Sequence, residues 1–142
     1  MSVILVSACL LGIDCRYKGD SCPCQKVIDL GSDNQLIPVC PEQLGGLPTP
    51  RTPSERVGDK VIMKNGNDVT AEYNRGADAA LQIAKLTGAD TAILKANSPS
   101  CGKGTIYDGS FSGSKKEGNG VTCDLLINNG IRVFTEDETD LI

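Results

Sequence analysis

Four apolar runs of strand length recur along this chain: VILVSA (Val3–Ala8), QLIPVC (Gln35–Cys40), TAILKA (Thr91–Ala96) and IRVFT (Ile131–Thr135). They are nearly continuous, not alternating, and such strands are buried on both faces, as in a parallel sheet covered by helices. Helical signals lie between them. TAEYNRGADAALQIAKLTGA begins at Thr70, whose hydroxyl is placed to cap the start, with Glu72 in the first turn. It carries Ala77, Ala80, Leu81 and Ala84 at helical spacing and ends at Gly88. GVTCDLLINNG predicts a second helix with Val121, Leu125 and Ile127 inward, and a weaker one covers Pro23 to Leu30. This alternation predicts an α/β fold, an open three-layer Rossmann-like sandwich with a mostly parallel central sheet, as one domain over residues 1–142. The segment ERVGDKVIMKNGNDVT reads instead as a hairpin or irregular arm turning at Asn65-Gly66. The acidic tail TEDETD is expected to fray in solvent.

Composition narrows the function. A net charge of -4 offers no basic surface for nucleic acid or an anionic membrane. Aromatics make up 4% and tryptophan is absent, too little for a base-stacking platform along a single strand. No apolar run approaches the length of a membrane span. The opening MSVILVSACLLG lacks the basic segment of a secretion signal and runs straight into the first strand, so a cytoplasmic protein is expected. The expected partner is a small-molecule substrate, with no nucleic acid and no membrane.

Seven cysteines accompany no histidine. An odd number cannot all pair within one chain, and a reducing compartment disfavours disulfides. Without histidine, catalysis by a serine–histidine or cysteine–histidine pair is excluded, as is any imidazole-bound zinc. Packing, thiolate chemistry or a sulfur-held metal remain.

Three cysteines share a structural address. Cys9 follows the first apolar run, Cys40 ends the second, and Cys101 lies just past the third, in LKANSPSCGKGTIYDG. Right-handed crossovers put all these loops at the carboxyl edge of the sheet, where ligands bind in such folds. Gly12, Gly45, Gly46, Gly102 and Gly104 leave room beside them, while Pro41 and Pro99 stiffen the turns. Three thiolates gathered alone would repel one another, and a metal or cluster offsets that charge. All-sulfur coordination suits zinc or an iron–sulfur cluster. The ligands lie roughly 30 and 60 residues apart, unlike a ferredoxin run or a zinc ribbon. Three ligands leave one position open, and a cubane with one iron free of protein is a better acceptor of a soft sulfur atom than a zinc quenched by three thiolates.

Glu42 brings a carboxylate to the same edge as acid, base or nucleophile, and Ser98 and Ser100 bring hydroxyls. Arg16, Arg51 and Lys95 are candidate anchors for polar substrate atoms, and Asp108-Gly109 a candidate wall or lid. Cys123, beside Leu125 and Leu126, reads as a packing residue. Cys15, Cys22 and Cys24 offer a second metal site, a redox pair or a shield at the mouth of the pocket, and the sequence does not choose among these.

SACLLGIDCRYKG, PVCPEQLGGLPTPRTPSE and LKANSPSCGKGTIYDGSF resemble, in order, the signatures of a bacterial family, domain of unknown function 523, whose members are thiouracil desulfurases carrying a [4Fe-4S] cluster. The resemblance covers essentially the whole chain. It implies cluster ligation by Cys9, Cys40 and Cys101, a catalytic glutamate at Glu42, and a catalytic serine at Ser98 with Ser100 as the alternative. The expected activity is non-redox desulfuration of 2- or 4-thiouracil to uracil and sulfide, the open iron taking the substrate sulfur. Two other readings keep the same thiols: a non-catalytic iron–sulfur or persulfide carrier or sensor, which predicts an exposed cluster, and a structural zinc protein, which predicts a colourless one.

Overall fold

A computed structural model describes residues 2–142. In chain order it runs β1 (Val3–Ser7), α1 (Gln25–Asp29), β2 (Gln35–Val39), α2 (Pro41–Leu44), β3 (Ser54–Val57), β4 (Lys60–Met63) and α3 (Thr70–Thr87). It continues with β5 (Thr91–Leu94), β6 (Thr105–Tyr107), β7 (Lys115–Glu117), α4 (Val121–Asn128) and β8 (Arg132–Thr135). The four apolar runs form one sheet in the order β2-β1-β5-β8, and every pairing in it is parallel.

Both faces of the sheet are covered, which is why its strands read as continuous apolar runs. Leu5, Ala92, Leu94 and Val133 pack with Ala80 and Ala84 of α3 and with Cys123 and Leu126 of α4. Ile4, Val6 and Ile93, pointing the other way, pack with Val27 of α1 and with Leu10. The expected three-layer α/β sandwich is the observed one. Among the described residues, no helix is long and apolar enough to cross a membrane.

Four local expectations are corrected or extended. Thr70 does not cap α3: its hydroxyl accepts the Val61 amide of the neighbouring hairpin, and the Asp68 side chain accepts the Thr70 amide. In α4 the inward residues are Thr122, Cys123 and Leu126, while Ile127 is exposed. The helix is rotated because its first amides are tied elsewhere: Val121 N–H donates to the Pro99 carbonyl and Thr122 N–H to that of Ser100, each at 2.9 Å. The longer ladder of the arm, antiparallel β3 and β4, turns at Gly58, where no turn is expected; the turn expected at Asn65-Gly66 is also present and closes an antiparallel bridge between Ile62 and Asp68. Finally, the acidic tail is tied down. It forms a 3-10 helix closed by a Thr135–Glu138 capping box; Glu136 pairs with Lys95 at 2.8 Å and Glu138 with Lys103 at 3.0 Å.

The crossing of α2 and α3 bears directly on the site. A Cβ at Gly76 would stand 1.9 Å from the Pro41 carbonyl oxygen, and one at Gly45 would stand 1.9 Å from that of Glu72. Only glycine lets the two backbones meet, and α2 is the helix that carries Glu42. Gly76→Ala therefore forces backbone apart rather than a flexible side chain. The expected cost is about 3 kcal/mol, read as a fall in Tm of roughly 10 °C. An unchanged melting curve would refute this account of the crossing.

Candidate active site

The cysteine loops converge as the parallel topology requires. Cys9 sits in a 3-10 turn (Ala8–Leu11) directly after β1, Cys40 precedes α2 directly after β2, and Cys101 lies in the loop after β5. All three line one cavity of about 370 Å³ at the carboxyl edge of the sheet. Ser7, the last residue of β1, stitches that edge by accepting the Lys95 amide at 2.9 Å.

Local chemistry fixes each loop. The Ser98 hydroxyl accepts the amides of Ser100 and Cys101, at 3.1 and 3.0 Å, and so folds the SPSC turn around itself. Docking of that turn on the first amides of α4 anchors it to the core. Gly120 is required at the junction, since a Cβ there would lie 2.3 Å from the Ser100 carbonyl group. The Cys9 turn is clipped from outside, where the Cys22 amide donates to the Cys9 carbonyl and the Cys24 amide to that of Leu10, both at 2.9 Å. Cys22 and Cys24 are half-buried and do not line the cavity; Cys123 is wholly buried in the core.

Glu42 stands in the first turn of α2 with its side chain only 14% exposed, facing Arg51, itself 5% exposed, at 3.7 Å. Burial pushes the Glu42 carboxyl up from its ordinary range, against the opposing pull of the Arg51 charge and the nearby Ser100 hydroxyl. Arg51 also donates to the Cys15 carbonyl at 3.0 Å and to Thr49 Oγ1 at 2.9 Å, so it braces two loops at once. Of the other candidate anchors, Lys95 lines the cavity but is neutralised by Glu136, and Arg16 lies beside Asp20 at 3.7 Å.

The two serines left open by the sequence occupy different places. Ser98 lines the cavity; Ser100 is wholly buried behind it, its hydroxyl 2.8 Å from that of Thr122. Both lone pairs of Ser98 Oγ are engaged by amides, so the capacity left to its hydroxyl is donation.

Cys15, for which the sequence leaves open a second metal site, a redox pair or a shield at the mouth of the pocket, is a cavity residue. It is 3% exposed, and the Cys40 sulfur lies 3.7 Å from its carbonyl oxygen. A hydrogen bond with Cys40 is the largest influence on its thiol and holds it down. A second with Cys9, together with burial, outweighs that and pushes it up to about 11. The Cys40 thiol is raised by its hydrogen bond with Cys15, by burial and by the Glu42 charge; burial and then Glu42 raise Cys101. As free groups these thiols hold their protons at neutral pH, and a cationic metal centre reverses that preference. Among the described residues, no three His, Cys, Asp or Glu side chains are gathered to hold a single metal ion. The thiols ring a space instead, and the donor set facing it is soft sulfur, which fits a cluster of cavity size.

The model of the 2-thiouracil desulfurase family matches residues 4–138 of this chain. The uncharacterized protein YbbK of Bacillus subtilis (strain 168) is 45% identical over 146 residues, covering 96% of this chain and 97% of its own. The solved structure of TudS, a [4Fe-4S]-dependent thiouracil desulfidase, superposes with a TM-score of 0.92 at 47% identity, covering 97% of this chain and 93% of that one.

Proposed function

The chain belongs to the 2-thiouracil desulfurase family, and on that footing we propose that it exchanges the sulfur of 2- or 4-thiouracil for oxygen, using a [4Fe-4S] cluster held by Cys9, Cys40 and Cys101. Thiouracil and water give uracil and sulfide; the C–S bond breaks, a C–O bond forms, and no electron carrier is consumed. The observation that carries this reading is the convergence of three thiols, from three separate strand ends, on one cavity with a buried carboxyl group. When bound, such a cluster supplies an iron without a protein ligand, a Lewis acid for the thiocarbonyl sulfur.

The protein's own groups handle position and protons. Glu42, shielded from water and steadied by Arg51, moves the proton between water and the leaving sulfur. Ser98, both lone pairs engaged, donates its hydroxyl proton to a polar atom of the ring or to the incoming oxygen. That role is assigned to Ser98 over Ser100 because only Ser98 lines the cavity. Cys9 and Cys101, 7% and 4% exposed, are too enclosed for a carrier that hands its cluster to a partner.

Anaerobic reconstitution with iron and sulfide tests the reading. A brown protein holding about four of each per chain is expected, releasing sulfide from thiouracil in step with uracil formation. A colourless protein that refuses iron and takes one zinc would overturn it.

A further inference from the structure

The chain has three tyrosines and two phenylalanines. Four of these five rings, Tyr17, Tyr73, Tyr107 and Phe111, line the one cavity. Aromatic side chains are scarce here, yet the cavity wall is rich in them, which suits a flat, unsaturated ring.

Phe111 stands apart from the other three. It lies in the 108–114 loop between β6 and β7, in the left-handed region at φ 57, where a side chain meets its own backbone. Gly109 and Gly113 adopt positive φ in the same loop at no such cost, so the strain at Phe111 is carried by a phenyl ring where glycine would be relaxed. A dedicated tether holds it. Glu55, 8% exposed, extends one carboxylate oxygen from β3 to the amides of Gly109 and Phe111, at 2.9 and 3.1 Å. Glu55 has no ion-pair partner among the described residues; these two amides are its hydrogen-bond partners. The loop is closed across its base by the Asp108 amide on the Ser114 carbonyl at 3.0 Å.

Building on the desulfurase reading, we infer that Phe111 is the stacking face for the planar pyrimidine ring, and that Glu55 is the positioning residue that latches its loop over the cavity. A phenyl ring has no polar handle, so its face is what it offers a bound base. The polar edge of the pyrimidine is left to Ser98 and Glu42, while the ring plane is set from the opposite side by Phe111. The pocket then selects for an unsaturated, flat ring and not merely for a thiocarbonyl.

Calorimetric titration of the anaerobically reconstituted protein with uracil, and with 5,6-dihydrouracil, tests this without turnover. Dihydrouracil keeps the same polar edge on a puckered, partly saturated ring. The unsubstituted protein is expected to bind uracil about tenfold more tightly than dihydrouracil. In Phe111→Leu the uracil affinity falls about tenfold and the preference disappears. Phe111→Gly relaxes the backbone at this φ and keeps the test open if the leucine variant folds poorly; the same loss is expected. Glu55→Ala should match the Phe111 variants, and Glu55→Gln, which keeps an oxygen for both amides, should restore binding. Uracil binding undiminished in both Phe111 variants overturns the inference alone. Failure of the unsubstituted protein to bind uracil, with no sulfide released from thiouracil, overturns the desulfurase reading and this inference with it.

Discussion

Cys101→Ala is expected to leave the protein folded and colourless after reconstitution, with iron below about a tenth of that in the unsubstituted chain. Cys101 reaches the cavity on a loop whose geometry is fixed by Ser98 and by the first turn of α4. The fold does not depend on its sulfur, because the loop is held by the Ser98 hydroxyl and by backbone groups. Cys9→Ala and Cys40→Ala should have the same effect. The informative contrast is Cys15, which sits against Cys9 and Cys40 and, at 3% exposed, is buried like Cys9 while Cys40 is half-buried. A protein that keeps its iron without Cys101 and loses it without Cys15 would move the third ligand to Cys15 and refute the assignment made here. Cys123→Ala is the control for packing. It opens a small void in the core and should cost about 1 kcal/mol while iron content stays unchanged.

The three proposed ligands were legible in the sequence for a simple reason. Each closes, or closely follows, an apolar run, and a parallel sheet sends all such positions to one edge. Glu42 was legible through its tie to Cys40, two residues away. What escaped has a common cause. Cys15, Glu55 and Phe111 reach the cavity from a loop, a hairpin and a second hairpin whose placement rests on contacts distant in sequence. Arg51 holds the Cys15 carbonyl across 36 residues, and Glu55 holds the Phe111 amide across 56. No local period announces such a contact. The phase of α4 escapes the sequence on the same grounds. Its apolar residues allow more than one inward face, and the choice was made by the SPSC turn binding its first amides. The tail TEDETD looked unanchored because its partners, Lys95 and Lys103, lie in the site loop, over 30 residues upstream.

Glu42→Gln is expected to retain iron and uracil binding and to lose turnover by about a hundredfold or more. The substitution keeps the side chain's length and still offers Arg51 an oxygen, so the cavity wall is preserved. What it removes is the ability to take up and release a proton. Burial already lifts the Glu42 carboxyl, which brings it nearer to the range where a group exchanges protons at working pH. Glu42→Ala is a less clean probe. Both substitutions remove the counter-charge of the buried Arg51 guanidinium, but alanine also removes the oxygen that faces it and the side chain that fills the wall, so about 3 kcal/mol of stability goes with it, and a fall in rate could be mistaken for a chemical effect. Single-turnover release of sulfide, measured beside iron content and uracil affinity on the same preparation, separates the two. If the glutamine variant keeps both iron and uracil binding yet turns over at the unsubstituted rate, the proton travels by another group. The next candidate is then Ser98, whose hydroxyl, held by two amides, faces the cavity with a proton still to give.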